Sequence, residues 1–147
     1  DTHSNDLIEN IKLSVIAGRA RAKLIGAPQA KLPTIWDAVD GATVVAADGL
    51  RRPDLGRIAV GAKADFITLD LSDWFVGAGT LPPEPLNNIL YANGSIVRHV
   101  AVDGRFLVFD GALAVAREDD VFTRGVVVHK KLWKQLIDEE WFIPPPR

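Results

Sequence analysis

Residues 55–70 read LGRIAVGAKADFITLD, and they mark a change in the character of the chain. Gly56 and Gly61 flank a turn-rich link, since glycine tolerates backbone conformations with positive φ. Residues 64–70 follow as a strand rich in β-branched and aromatic residues. Asp65 precedes that strand, where its carboxylate can accept backbone N–H groups of a turn. The segment therefore predicts that helices give way to strands near residues 50–60.

Two helices are predicted upstream of this segment, over residues 6–25 and 34–48. Asp6 with Glu9, and Thr34 with Asp37, have the three-residue spacing of a capping box. Apolar residues recur with the helical period at Ile8, Ile11, Val15 and Ala22, and again at Ile35, Ala38, Val39, Ala42, Val45 and Ala46. Gly41 lies inside the second helix and should cost about 1 kcal/mol relative to alanine, unless a close contact requires it.

Downstream of the segment, the sequence predicts a loop over residues 72–85, a short helix over 85–91 and a β-hairpin. The hairpin strands are residues 96–102 and 105–109, and Asp103-Gly104 between them favours a type I′ turn. A charged helix is predicted over residues 118–141, with an interruption at Gly125 and an apolar face at Leu132, Trp133, Leu136 and Ile137.

The composition of the sequence excludes several kinds of site and partner. The 147 residues carry a net charge of −2 without a basic face, so nucleic acid is not an indicated partner. There is no cysteine, which excludes disulfides and thiolate metal sites, and no apolar run approaches the roughly 20 residues that span a bilayer. The chain begins at Asp1 and contains no methionine, so we expect a piece of a longer protein.

The segment also resembles a known family. Residues 56–70 resemble the run G-x-I-x-x-G-x-x-A-D-x-x-x-L-D of the amidohydrolase superfamily. They share its two glycines, its Ala-Asp pair at 64–65 and its Leu-Asp pair at 69–70. Residues 97–105 resemble the hairpin V-x-x-V-x-V-x-G-x of that family, and residues 85–92 resemble its bridging segment. Residues 1–7 resemble the end of barrel strand 8 in the cytosine deaminase-like and triazine hydrolase-like members, and residues 34–50 resemble a helix of the same members. Together these matches cover roughly residues 1–112 in the family's order.

The resemblance implies an α/β fold: the C-terminal end of a (β/α)8 metallo-hydrolase barrel plus the C-terminal part of a small β-sandwich. Residues 1–52 would be the last part of the barrel, 53–112 the sandwich segment, and 113–147 a C-terminal helix and tail. Most of the barrel's apolar partners would then be missing, so we expect that the isolated chain is not a stable monomer.

The resemblance implies one catalytic residue, Asp1. In the family, the aspartate at the end of strand 8 binds the metal and accepts a proton from the attacking water. Asn5 is a candidate for substrate binding, since the loop after strand 8 lines the pocket rim; Asp6 fits better as a helix cap. The histidines are His3, His99 and His129, and none forms a His-x-His pair. His99 is expected to pack in a strand and His129 to be solvated, so the remaining ligands would lie outside this chain.

As a function, the resemblance implies hydrolytic deamination, or a related displacement, of a heterocyclic amine such as a purine, pyrimidine or triazine. The cofactor would be one divalent metal ion, zinc or else iron. The partners would be the small heterocyclic substrate and the remainder of the barrel, without nucleic acid or membrane, in a cytoplasmic homo-oligomer. Two alternatives stay open: a cyclic amide hydrolase of the same superfamily, and a non-catalytic scaffold or assembly module.

Overall fold

The computed structural model describes residues 4–26 and 31–142. Three helices come first: α1 (Leu7–Leu24), α2 (Ile35–Ala42) and α3 (Val44–Gly49). Strand β1 (Phe66–Leu69) and a short helix α4 (Trp74–Gly77) follow, then two 3₁₀ helices at Pro85–Tyr91 and Gly94–Ile96. Strands β2 (Val97–Val102), β3 (Arg105–Phe109) and β4 (Ala112–Leu113) lead to the last helix, α5 (Glu118–Asp138).

The second predicted helix is two helices, because the backbone breaks at Thr43. Thr43 has φ −125° and ψ −94°, and its hydroxyl donates to the carbonyl of Val39 at 2.7 Å. A threonine that bonds back to residue i−4 competes with the regular helical pattern. The predicted capping box of α2 is confirmed: Asp37 N–H donates to Thr34 Oγ1, and Asp37 Oδ2 accepts from Thr34 N–H. The Thr34 hydroxyl, which donates to Asp37 Oδ2 at 2.6 Å, holds the pKa of the Asp37 carboxyl well below its ordinary value, together with the Lys31 ammonium and the Thr34 N–H.

The strands form one antiparallel sheet in the order β1-β2-β3-β4. The predicted hairpin is confirmed, with Asp103 at φ 51° and Gly104 at φ 77°, as a type I′ turn requires. The Asp65 carboxylate does accept a backbone amide, but from the turn between β2 and β3 rather than from the turn before β1: its Oδ1 accepts the N–H of Asp103 at 2.6 Å. Asp65 therefore fastens the start of β1 to the turn between β2 and β3.

One hydrophobic core joins the helices to the middle of the chain. Its buried members are Ile8, Ile11, Val15, Ile35, Ile89, Ala92 and Ile96. The N-terminal members are those on the predicted stripes of α1 and α2, whereas the wider stripe of α1 is exposed at Leu13 and Ile16. Residues of the segments 1–52 and 53–112 thus pack together in a single core.

The barrel and the sandwich are not seen as such in residues 4–26 and 31–142. These residues form one sheet rather than two facing sheets, and no barrel strand occurs among them. What they do form is a mixed structure of helices and an antiparallel sheet. The predicted interruption of the last helix is wrong, since α5 continues through Gly125. None of the described helices is long and apolar enough to cross a membrane.

Much apolar surface lies open in this structure. The accessible area is 11448 Å², whereas a folded monomer of this mass exposes roughly 7,400 Å². Ile58 and Val60, in the turn before β1, are almost fully exposed. An accessible area larger than that of a compact monomer is expected for a chain that packs against further protein surface.

Candidate functional site

The N-terminus of α1 is the place to which the sequence assigns chemistry, and Asp6 organises it. Asp6 caps the helix, with Oδ1 accepting from Ile8 N–H at 2.9 Å and from Glu9 N–H at 3.3 Å. Its Oδ2 accepts the N–H of Gly94 from the far part of the chain. Both oxygens of the Asp6 carboxylate therefore accept backbone amides, which confirms the prediction that Asp6 is a cap.

The capping box predicted between Asp6 and Glu9 is not formed. The N–H of Asp6 donates to Ser4 Oγ at 3.0 Å, so the Ser4 hydroxyl takes the place intended for the Glu9 carboxylate. Asn10 Nδ2 donates to the Ser4 carbonyl at 2.9 Å, and this bond holds Ser4 in place. Ser4, Asp6 and Asn10 together fix the direction from which the chain enters α1.

Gly94 and Ala92 tie α1 to the second half of the chain. A Cβ on Gly94 would lie only 3.0 Å from Asp6 Oδ2, so glycine leaves room for the carboxylate. Lys12 Nζ donates to the Ala92 carbonyl at 3.0 Å, which adds a second link one and a half turns further along α1. Sequence reasoning missed both contacts, because they join residues 88 and 80 positions apart.

We expect Asp6→Ala to destabilise the protein by about 1–3 kcal/mol, because it removes a helix cap and leaves the Gly94 amide without its acceptor. Asp6→Asn should retain most of the stability, since an asparagine oxygen also caps. Denaturant titration of the full-length variants measures both changes. Glu9→Ala is the matched control and should change the stability by less than about 0.5 kcal/mol. A loss in Glu9→Ala as large as that in Asp6→Ala would contradict this assignment.

The predicted site residues are only partly visible. Asp1 and His3 lie outside the described residues. Asn5 is exposed, between the two residues that anchor the start of α1. His99 packs in the sheet as expected: its Nδ1 lies 2.7 Å from Thr68 Oγ1, and its ring lies 4.9 Å from that of Phe109.

The remaining histidine belongs to α5. His129 is exposed, as predicted, and its Nε2 accepts the indole N–H of Trp133 at 2.6 Å. Among residues 4–26 and 31–142, no group of three or more histidine, aspartate or glutamate side chains could hold a metal ion. These residues therefore do not form a metal site by themselves.

An apolar cavity of about 380 Å³ lies between α1, α2 and the sheet. Asp6 and Gly94 stand at its edge, and Ile8, Val39, Leu69 and Val100 are among its lining residues. Its lining is almost entirely apolar, and the Asp6 carboxylate at its edge is already bonded to backbone amides. We interpret the cavity as a packing surface rather than as a catalytic pocket.

Charged pairs near the motif stabilise the turns around it. Arg52 forms two hydrogen bonds with the Asp54 carboxylate, at 2.8 and 2.7 Å, and they lower the pKa of Asp54 to about 2. Lys63 Nζ donates to Asp103 Oδ1 at 2.9 Å, and the interaction raises the pKa of Lys63. The first pair lies within one turn, and the second joins the turn before β1 to the turn between β2 and β3, so both have a structural function.

Comparison with solved structures shows a similar fold. A triazine hydrolase variant matches with a TM-score of 0.68 and 23% identity, over 82% of this chain and 25% of that chain. A mutant of atrazine chlorohydrolase TrzN from Arthrobacter aurescens TC1, complexed with zinc and atraton, gives the same values. The TrzN structure complexed with zinc matches with 22% identity, a TM-score of 0.68 and the same coverage.

These likenesses establish the fold and leave the function open. The chain spans only about a quarter of the length of the matched structures, and sequence identity this low carries no information on substrate. No protein-family model and no curated protein matches the sequence.

Proposed function

We propose that this chain is the C-terminal part of a metal-dependent hydrolase of the amidohydrolase type. The observation that carries the proposal is the fold likeness, with a TM-score of 0.68 over 82% of the chain, to hydrolases whose structures were solved with zinc. The motif at residues 55–70 supports it independently, because the sequence alone indicated the same kind of protein. In this proposal residues 1–52 complete a barrel, residues 53–112 belong to a sandwich and residues 113–147 are an appended helix and tail.

The proposed reaction is hydrolytic displacement of a small leaving group from an electron-poor heterocycle. The names of the matched proteins, a triazine hydrolase and an atrazine chlorohydrolase, support a halide as the leaving group, and the resemblance of the sequence to deaminases supports an amine. Asp1 would act as the base that takes the proton of the attacking water. Asn5 would contact the substrate at the rim.

Zinc is the proposed cofactor, with iron as the alternative, but the described residues do not form a site for it. The histidine ligands would have to come from the remainder of the barrel. We therefore derive no catalytic step through the metal from this chain.

The test uses the full-length protein that contains this chain. Metal content is measured after dialysis, and release of ammonia or chloride is assayed with amino- and chloro-substituted purines, pyrimidines and triazines. We expect about one zinc or iron ion per chain and hydrolysis of at least one of these compounds. A full-length protein that binds no metal and hydrolyses none of them would contradict the proposal.

A non-catalytic assembly module is the second candidate. It is favoured by the many large hydrophobic side chains that are exposed among the described residues. The sequence preceding Asp1 separates the two candidates: a His-x-His pair there supports the hydrolase, and its absence supports the module.

A further inference from the structure

Residues 93–95 form an exposed turn that is fixed at both ends. Asn93 and Ser95 are exposed, whereas Ala92 and Ile96 on either side are only 2% and 3% exposed and belong to the hydrophobic core. The turn therefore presents polar side chains to water while its backbone is held in place against α1. Asn93 is also the only one of the five asparagines in the sequence that precedes a glycine.

An asparagine that precedes a glycine can react with its own backbone. The amide nitrogen of the glycine attacks the side-chain carbonyl carbon and expels ammonia, and water then opens the five-membered succinimide ring that results. Glycine favours the attack because it has no Cβ to obstruct the approach of the backbone nitrogen. The reaction is promoted by an acceptor for the proton of the nitrogen and by a donor to the carbonyl oxygen.

Both groups are present at Asn93. The N–H of Gly94, which is the attacking group, donates to Asp6 Oδ2. A carboxylate that accepts this bond draws the proton away from the nitrogen and makes the nitrogen more nucleophilic. Asn93 Oδ1 accepts the N–H of Ser95 at 2.9 Å. This bond folds the side-chain carbonyl back towards the Gly94 nitrogen and stabilises the negative charge that develops on the oxygen.

We propose that Asn93 is a site of spontaneous deamidation and that the Asp6 carboxylate promotes the reaction. The Gly94 nitrogen forms a bond to Asn93 Cγ while its proton passes to Asp6. The bond between Cγ and Nδ2 then breaks, and Nδ2 takes up that proton and leaves as ammonia with the bonding electron pair. Water opens the succinimide at either carbonyl, which leaves aspartate or isoaspartate at this position. The proposal does not depend on the hydrolase function.

The reaction removes a link between α1 and the second half of the chain. In the succinimide the Gly94 nitrogen carries no proton, so it no longer donates to Asp6. Isoaspartate also lengthens the backbone by one carbon between two core residues, Ala92 and Ile96. We therefore expect the isoaspartate form to unfold at a lower denaturant concentration than the native form.

The central test compares the folded full-length protein at neutral pH with the same protein held unfolded in urea. Trypsin releases residues 64–98 as one peptide, and mass spectrometry with fragmentation locates the gain in mass that replacement of NH2 by OH produces. A positioned base contributes about 10²–10⁴-fold in enzymes, so the folded protein should lose Asn93 at least about tenfold faster than the unfolded protein. A loss of Asn93 that is equal or slower in the folded protein overturns the proposal.

The Asp6→Asn variant tests the base. Asparagine keeps an oxygen that accepts from Gly94 and caps α1, but it cannot take up the proton, so deamidation of Asn93 should slow at least about tenfold. Glu9→Gln is the matched control, because it removes the neighbouring carboxylate in the first turn of α1 and leaves Asp6 in place; its rate should equal the native rate. A native rate in Asp6→Asn, or an equal decrease in both variants, would overturn the proposal.

The Asn93→Ser variant tests the consequence for stability. A serine oxygen can still accept the Ser95 N–H, but it cannot form a succinimide. After prolonged storage at neutral pH, the native protein should show a second population that unfolds at lower denaturant and carries isoaspartate, whereas Asn93→Ser should unfold as it does when fresh. An Asn93→Ser protein that ages like the native protein would show that the loss arises elsewhere and would contradict the inferred loss of the link.

Discussion

Replacing Gly56 with alanine is expected to destabilise the protein by about 3–5 kcal/mol, through backbone strain and a steric clash together. Gly56 has φ +69°, and an added Cβ would lie 2.5 Å from the Thr43 carbonyl oxygen and 2.7 Å from the Thr43 carbonyl carbon. That carbonyl cannot move away easily, because it accepts the N–H of Ala47 at 3.0 Å in the first turn of α3. Denaturant unfolding of the full-length variant, together with its soluble yield, measures the loss.

Two other glycines provide matched controls for Gly56→Ala. Gly61 belongs to the same motif and also has a positive φ, +87°, but a Cβ there meets no atom within 4 Å. Gly61→Ala should therefore cost only the strain, about 1–2 kcal/mol. Gly41→Ala, in open space within α2, should be neutral or stabilise the protein by up to about 1 kcal/mol. Equal losses at Gly56 and Gly61 would show that the contact with Thr43 has no energetic weight.

Local patterns in the sequence predicted the features that depend only on neighbouring residues, such as caps and turns. The Thr34 capping box, the Asp103-Gly104 turn and the strand after Asp65 all depend on residues a few positions apart. The break at Thr43 was missed because an apolar period continues across it, although a threonine followed by two valines was an available signal. The sequence predicts an energetic cost at Gly41, because it lies inside a helix. In the structure it is Gly56 that makes a close contact, against the backbone of Thr43.

Contacts between residues that are far apart along the chain could not be predicted from local sequence patterns. Nothing near Asp6 indicates that its second carboxylate oxygen accepts from Gly94, because the pairing depends on how α1 packs against the core. The candidate site shows the same division. The cap function of Asp6 followed from local spacing, while the groups that would complete a pocket around Asn5 depend on chain segments that the described residues do not include.

The second prediction is a large loss of activity when Asp1 is replaced, and it rests on the proposed function. Asp1→Asn in the full-length protein should lower kcat about 10²–10⁴-fold, because an amide has nearly the shape of the carboxylate but cannot accept the proton of the attacking water. Steady-state kinetics on whichever heterocycle the native protein hydrolyses provides the measurement. The fold should be retained, since the core is built from residues that begin at Ile8.

Asn5→Ala, four residues further along the chain, is the matched control for Asp1→Asn. An exposed side chain that contacts substrate without taking part in proton transfer should raise KM several-fold while kcat changes little. The two variants therefore separate a base from a binding group. If Asp1→Asn retained the native kcat while the native protein hydrolysed the same substrate, the base would be another residue, and the hydrolase proposal would stand without Asp1. If both variants lost kcat equally, the division into a base and a binding group would be wrong, and denaturant unfolding would show whether the two variants share a loss of stability.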